Sequence, residues 1–131
     1  MYKILLAHGS GGTAMHKLIR EYFVPEFDMK SLGDAAIVDL SHSPIRLAFT
    51  TDSYVVSPVF FPGGNIGELA VYGTVNDLSM VGAKPLCMSA GLILEEGFLM
   101  NDLKKILASM ADAAKRSGVK IIAGDTKVVN R

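Results

Sequence analysis

A single cysteine, Cys87, stands among the 131 residues. An intramolecular disulfide framework and a multi-thiolate zinc site are therefore both excluded, which suits a reducing compartment. Neither sign of charge prevails: 13 Lys and Arg face 13 Asp and Glu, with no run of five or more like charges. The electrostatic footprint demanded by duplex nucleic acid or an anionic lipid surface is missing. Long hydrophobic runs are missing as well. Nothing approaches the roughly 18 apolar residues of a membrane span, and the apolar run in the opening Met1-Tyr2-Lys3-Ile4-Leu5-Leu6-Ala7-His8-Gly9 is too short for a signal peptide. Internal repeats and low-complexity segments are also absent. What is plentiful is apolar side chain: 50% of the residues are hydrophobic and 20% charged, which rules out intrinsic disorder. A chain of this length buries roughly two-thirds of its unfolded surface. The expectation is one soluble, cytoplasmic α/β or α+β domain.

Residues 3–7 read as a short strand running into His8-Gly9-Ser10-Gly11-Gly12, a loop of residues that tolerate positive φ. Thr13 then caps a helix in which Met15, Leu18, Ile19, Tyr22 and Phe23 recur at helical spacing until Pro25 disrupts the pattern. Strands follow at 35–40 and 46–51, and the short connection Ser41-His42-Ser43-Pro44 makes them antiparallel, because a parallel crossover needs a dozen residues or more. Residues 66–83 are apolar nearly all round and read as a buried helix. Pro85 opens a strand to Leu94, with Leu86, Met88, Ala90, Leu92 and Leu94 on one face. Asn101 caps the clearest helix, whose core face is Leu103, Ile106, Leu107, Met110, Ala113 and Ala114 and whose end is Gly118. A last strand at 119–123 leaves Gly124-Asp125-Thr126-Lys127 just beyond its C-terminal end. No helix cap or polar tail closes the sequence at Asn130-Arg131, and on that pattern we expect an N-terminal piece of a longer protein.

Two features carry chemistry. Gly9-Ser10-Gly11-Gly12-Thr13-Ala14 fits G-x-G-x-x-[G/A] between a strand and a helix, with Asp28 at the distance of a ribose ligand. The hairpin that follows argues against a dinucleotide fold, the loop lacks the Lys-Ser/Thr of a P-loop, and the alternative is a glycine-rich turn without a ligand. The second feature is the placing of acids. Asp34 precedes a strand, Asp52 ends one, Asp125 follows another, and Asp77 lies beside Asn76 in the apolar helix. A buried carboxylate needs a partner. Oxygen ligands gathered without thiols or imidazoles suit Mg²⁺ bridged to phosphate, with Thr126 and Lys127 adding a hydroxyl and a cation. The competing reading makes Asp34 and Asp52 turn or cap residues and Asp77 a solvent-facing one. Cys87 reads as a packed core thiol. His8, His16 and His42 lack metal-ligand spacing, and only His8, at the mouth of the glycine loop, is retained as a weak contact. Glu95-Glu96 reads as a solvated turn, since adjacent side chains at a strand end point apart.

Three segments are similar to known proteins. Phe60-Phe61-Pro62-Gly63-Gly64-Asn65-Ile66-Gly67, the run from Gly73 through Asn76-Asp77-Leu78 to Gly82-Ala83-Lys84-Pro85, and Gly124-Asp125-Thr126-Lys127-Val128-Val129 closely resemble the HypE family of hydrogenase maturation factors, the carbamoyl dehydratases. His8-Gly9-Ser10-Gly11-Gly12 fits the same family, and the resemblance covers essentially all 131 residues but only that family's N-terminal domain. Asn-Asp-Leu followed by Gly-Ala-x-Pro is shared with the wider AIR synthetase (PurM-like) superfamily, including selenophosphate synthetase and thiamine-monophosphate kinase.

The resemblance implies a PurM-like N-terminal domain: a mixed, mainly antiparallel sheet with helices on one face, pairing with a second subunit as a homodimer. It implies Mg²⁺ and ATP held by Asp34, Asp52, Asp77 and Asp125, with Asn76, Gly124, Thr126 and Lys127 on the nucleotide and Gly11 and Gly12 closing over the phosphates. In the family a C-terminal cysteine is carbamoylated by HypF, ATP activates the carbamoyl oxygen, and dehydration leaves a thiocyanate whose cyanide passes to the HypC–HypD complex. The second domain and the terminal cysteine have no counterpart in these residues, and Cys87 does not match that position, so this chain alone is not expected to complete the reaction. Gly33-Asp34 carries one acid where several superfamily members carry two. The rival expectations are a kinase or synthetase of the same superfamily, and a dimerisation or docking module with an incomplete nucleotide site.

Overall fold

A computed structural model describes residues 3–27, 32–42 and 44–130. The chain divides into two compact units, residues 1–33 and 34–131. In the first, a 3-10 turn at Leu6–Gly9 precedes α1 (Thr13–Leu18), a π-helical turn (Ile19–Phe23) and α2 (Val24–Glu26). The strand expected at 3–7 does not form: four consecutive apolar residues carry no period, and among the described residues no strand pairs with them. Pro25 does not end the helical run either. The Val24 N–H donates to the Ile19 carbonyl, a five-residue step, and this wider turn absorbs a proline that an ordinary four-residue ladder rejects. Asp28 and Ser43 lie outside the described residues.

The second unit holds, among its described residues, three two-stranded sheets. β1 (Ala36–Asp39) and β2 (Arg46–Phe49) are antiparallel, with Ala36 opposite Phe49 and Asp39 opposite Arg46. Asp52 therefore lies three residues past the end of its strand rather than at it. β3 (Phe60–Phe61) and β4 (Gly64–Asn65) form a tight hairpin across Pro62-Gly63, where Gly63 takes φ +93°. The hairpin leads straight into α3 (Ile66–Met80). β5 (Cys87–Glu95) crosses over through α4 (Met100–Arg116) to the parallel strand β6 (Lys120–Val129). Mixed helices and strands with short sheets make this an α+β fold.

The core lies where α3 and α4 meet. Val71 of α3 is 1% exposed and packs with Ile106, Met110, Ala113 and Ala114 of α4 and with Val119. The α4 residues recur at i, i+4, i+7 and i+8, the stripe of a helix with one buried face. Each large aliphatic side chain buried there contributes about 1.5–3 kcal/mol. α4 starts two residues earlier than expected, at Met100 with Leu99 rather than Asn101 as N-cap, and ends as expected at Gly118, whose φ is +67°.

Two further expectations differ from the structure. β6 does not stop at residue 123. It runs to Val129, so Gly124, Asp125, Thr126 and Lys127 lie inside the strand, each registered against β5. Pairing overrides a Gly-Asp sequence that reads locally as a stop. Cys87 is no core thiol: as the first residue of β5 it points away from α4 and is exposed, while Met88 and Ala90 pack on the core.

Candidate functional site

The antiparallel register of β1 and β2 brings the segment entering β1 beside the segment leaving β2. The Thr50 hydroxyl donates to the Asp34 carbonyl at 2.9 Å and lies 3.4 Å from Asp77 Oδ2. The two acceptors compete for one hydroxyl proton, and the Asp34 carbonyl is the nearer. Two residues beyond Asp52, the Tyr54 hydroxyl donates to Asp52 Oδ2 at 2.8 Å. These contacts place Asp34, Asp52 and Asp77 in one electrostatic group between the β1–β2 hairpin and α3.

The group's charges are legible in how it titrates. Burial pushes the Asp77 carboxyl above the ordinary 3.8, and the negative charges of Asp52 and Asp34 push it further, against a smaller opposing effect of the Thr50 hydroxyl. Tyr54 is also raised, first by burial and then by Asp52 and Asp77, while a hydrogen bond with Thr74 works the other way. Like charges crowd a site that is partly withdrawn from water. Such crowding is what a cation relieves. Among the described residues no three of His, Cys, Asp and Glu are grouped closely enough to hold a metal ion by themselves. Mg²⁺ does not need such a cage: it binds through one or two carboxylates and completes its shell with waters and phosphate oxygens. The all-oxygen pair Asp52 and Asp77 fits that requirement.

α3 holds Asp77 in place through its N-terminal end. Asn65 Oδ1 accepts from the Gly67 N–H at 2.8 Å, capping the helix, and its amide donates to Ser109 Oγ of α4 at 2.7 Å. The Ile66 N–H donates to the Val59 carbonyl at 2.9 Å, which ties the hairpin to the helix start. Gly67 lies so close to α4 that a Cβ there would sit 2.5 Å from the Ile106 carbonyl oxygen. Asn76, beside Asp77, is exposed.

The remaining sequence-predicted residues belong to other elements. Asp125 and Lys127 share one face of β6 as an exposed ion pair. Gly124 lets the strands approach, since a Cβ there would meet the Ala90 carbonyl oxygen at 2.5 Å. Thr126 pairs with Leu92 and, with Leu107, Met110 and Ile121, lines an open groove between the β5–β6 sheet and α4. In the first unit Gly11 adopts φ +77° and Gly12 caps α1, with open space around both. His8 accepts from the Leu5 N–H through Nδ1 at 2.9 Å, a local turn contact.

Four residues of the acidic group were not picked out for it in the sequence: Thr50, Tyr54, Gly73 and Thr74. The available signal was Gly73, because a glycine inside an apolar helix marks a close approach. Here the approaching group is the Tyr54 phenol.

Known proteins share this architecture. Residues 32–131 match the family model "AIR synthase related protein, N-terminal domain". The chain is 53% identical over 132 aligned residues to the carbamoyl dehydratase HypE of Rhodobacter capsulatus, covering 98% of this chain and 39% of that protein. A solved HypE–HypF complex superposes with a TM-score of 0.76 at 57% identity, covering 87% of this chain and 37% of the solved one. A HypE structure in complex with ATP gives 0.64 at 54% identity, covering 98% and 38%. The chain thus spans about two-fifths of the length of the curated relatives it matches.

Proposed function

Because the chain belongs to the AIR synthase related proteins as their N-terminal domain, we propose that it is the Mg-ATP-binding part of a cytoplasmic carbamoyl dehydratase of the HypE kind. The observation that carries this reading is the convergence of Asp34, Asp52 and Asp77 at the end of the β1–β2 hairpin, in a chain 54% identical to a HypE solved with ATP. Residues 1–131 act in this reading as one nucleotide-binding domain and as half of a homodimer. The relatives' remaining length supplies a second domain and the C-terminal cysteine that accepts a carbamoyl group from HypF. The thiocyanate formed there serves cyanide transfer to the HypC–HypD complex.

The chemistry asks little covalent work of these residues. Oxygen is a poor leaving group until it is phosphorylated, so the task is to place the γ-phosphate and neutralise its charge. Bound Mg²⁺ supplies that neutralisation. Asp52 and Asp77 would hold it, with Asp34 and Asp125 as further acidic contacts. Lys127 and Thr126 offer a cation and a hydroxyl to phosphate oxygens, Asn76 an amide to the nucleotide, and Gly11, Gly12 and Gly124 give backbone room. The other superfamily activities, thiamine-monophosphate kinase and selenophosphate synthetase, are disfavoured by relatives named carbamoyl dehydratase at about half identity.

Titration calorimetry with ATP, with and without Mg²⁺, tests the reading. We expect Mg²⁺-dependent binding to a dimer. A folded dimer with no nucleotide affinity would favour the second reading, a dimerisation module, which the separation of Asp125 from the other acids supports.

A further inference from the structure

Tyr54 lies outside the set of acids to which the proposed function assigns the metal, yet its phenol touches that set directly. Its hydroxyl donates to Asp52 Oδ2 at 2.8 Å. Its ring fills the place where Gly73 of α3 would carry a side chain: a Cβ there would lie 2.8 Å from Tyr54 Cζ and 2.9 Å from Cε1, and would overlap the hydroxyl oxygen. The hydroxyl of Thr74, the next residue of α3, lies beside the same phenol. Its proton goes to the Ala70 carbonyl at 2.9 Å, so that side chain is anchored to its own helix.

These contacts join two elements that are far apart in the chain. Asp52 stands in an extended segment without a strand partner, whereas Asp77 is carried one helical turn beyond Gly73 on a helix locked into the core. Residues 51–56 form neither helix nor strand. The phenol holds the Asp52 carboxylate by bonding to it at one end and seating against α3 along its ring.

We propose that Tyr54 is a positioning residue of the Mg-ATP site: seated in the niche left by Gly73, it sets the distance and orientation of the Asp52 carboxylate relative to Asp77. Gly73 is its structural counterpart, since any larger residue there expels the phenol. The inference rests on the nucleotide-binding reading above. A hydrogen bond to an ionised group is among the stronger ones, so its loss should be felt most where both carboxylates must meet one cation.

The test uses the full-length protein in four forms: wild type, Tyr54→Phe, Gly73→Ala and the double variant. Calorimetry gives the ATP dissociation constant in chelator and in saturating Mg²⁺, and the ratio of the two measures what the metal adds. Titration with Mn²⁺ alone, followed by electron paramagnetic resonance, reports the carboxylates without nucleotide. Tyr54→Phe keeps the ring and should keep the melting temperature and the affinity for metal-free ATP. Its Mg²⁺ ratio should fall about tenfold and its Mn²⁺ affinity should drop in parallel. Gly73→Ala should reproduce the loss, and should add less in the Tyr54→Phe background than alone. An unchanged ratio in either single variant, with wild type binding Mg-ATP, overturns the positioning role while leaving the nucleotide site standing. Absence of Mg-ATP binding in wild type overturns both.

Discussion

Asp77 is held in a state that costs stability when no cation is present. Burial and the charges of Asp52 and Asp34 raise its pKa above the ordinary 3.8. The folded protein therefore binds the proton more tightly than the unfolded chain, and stability falls as pH rises from about 3.8 through the raised value. Above that window the whole penalty is present. Asp77→Asn removes the charge and nearly preserves the shape. In chelator at neutral pH it should melt a few degrees above wild type, with the gain shrinking to nothing as pH falls toward 4. Thermal melts across pH check the sign, and a variant less stable than wild type at neutral pH would contradict it. The same substitution should weaken Mg-ATP binding about tenfold or more, because a charged ligand becomes a neutral one. A residue that destabilises the fold while serving a ligand is the usual mark of a functional position. Asp77 was readable in the sequence for this reason: a carboxylate in an apolar helix needs a partner. Tyr54 was not, because its role depends on Gly73, and two such residues become neighbours only when α3 packs beside the segment that follows β2.

At the scale of elements, α3 and α4 form the platform that carries Asp77, and their junction rests on two small features. Gly67 permits the helices to touch, since a Cβ there would meet the Ile106 carbonyl oxygen at 2.5 Å and Met110 Cγ at 2.8 Å. Asn65 caps α3 and bonds across to Ser109. Gly67→Ala should cost about 1–3 kcal/mol by overpacking, although alanine is otherwise the better helix former. Asn65→Ala should cost about 1–2 kcal/mol through the lost cap. Urea unfolding at constant m-value measures both, and a stable Gly67→Ala protein would mean that the helices separate at little cost. α4 was legible in the sequence because its apolar stripe, polar face and terminal Gly118 agree. The extent of β6 was not. Gly124 and Asp125 are poor strand formers locally, and only the pairing with β5, with Gly124 against the Ala90 carbonyl, keeps them extended. The first helical run also passes its expected stop: proline rules predict an end at Pro25, and the π-helical turn before it removes the conflict.

Across the whole molecule, apolar surface exceeds what these residues cover. In the β1–β2 hairpin Ile37, Val38, Leu47 and Phe49 are all exposed, Phe49 at 69%, and residues from both faces are represented. A two-stranded sheet with neither face buried is marginal in water. Exposed strand edges and apolar faces of this kind mark an interaction surface. The proposed homodimer assigns that surface to a second copy, and the acids lie at its border, because Asp34 enters β1 and Asp52 follows β2. A two-fold interface meets its own substitution twice, so a single charge there acts with doubled effect. Phe49→Glu should convert the dimer to monomers in light scattering and lower Mg-ATP affinity as a consequence, through loss of the packing that orders the segment carrying Asp52. If Phe49→Glu stays dimeric with wild-type affinity, the hairpin is covered by some other surface. If it becomes monomeric and binds Mg-ATP as before, the acidic group is complete within one subunit, and the dimer serves a purpose other than holding the nucleotide.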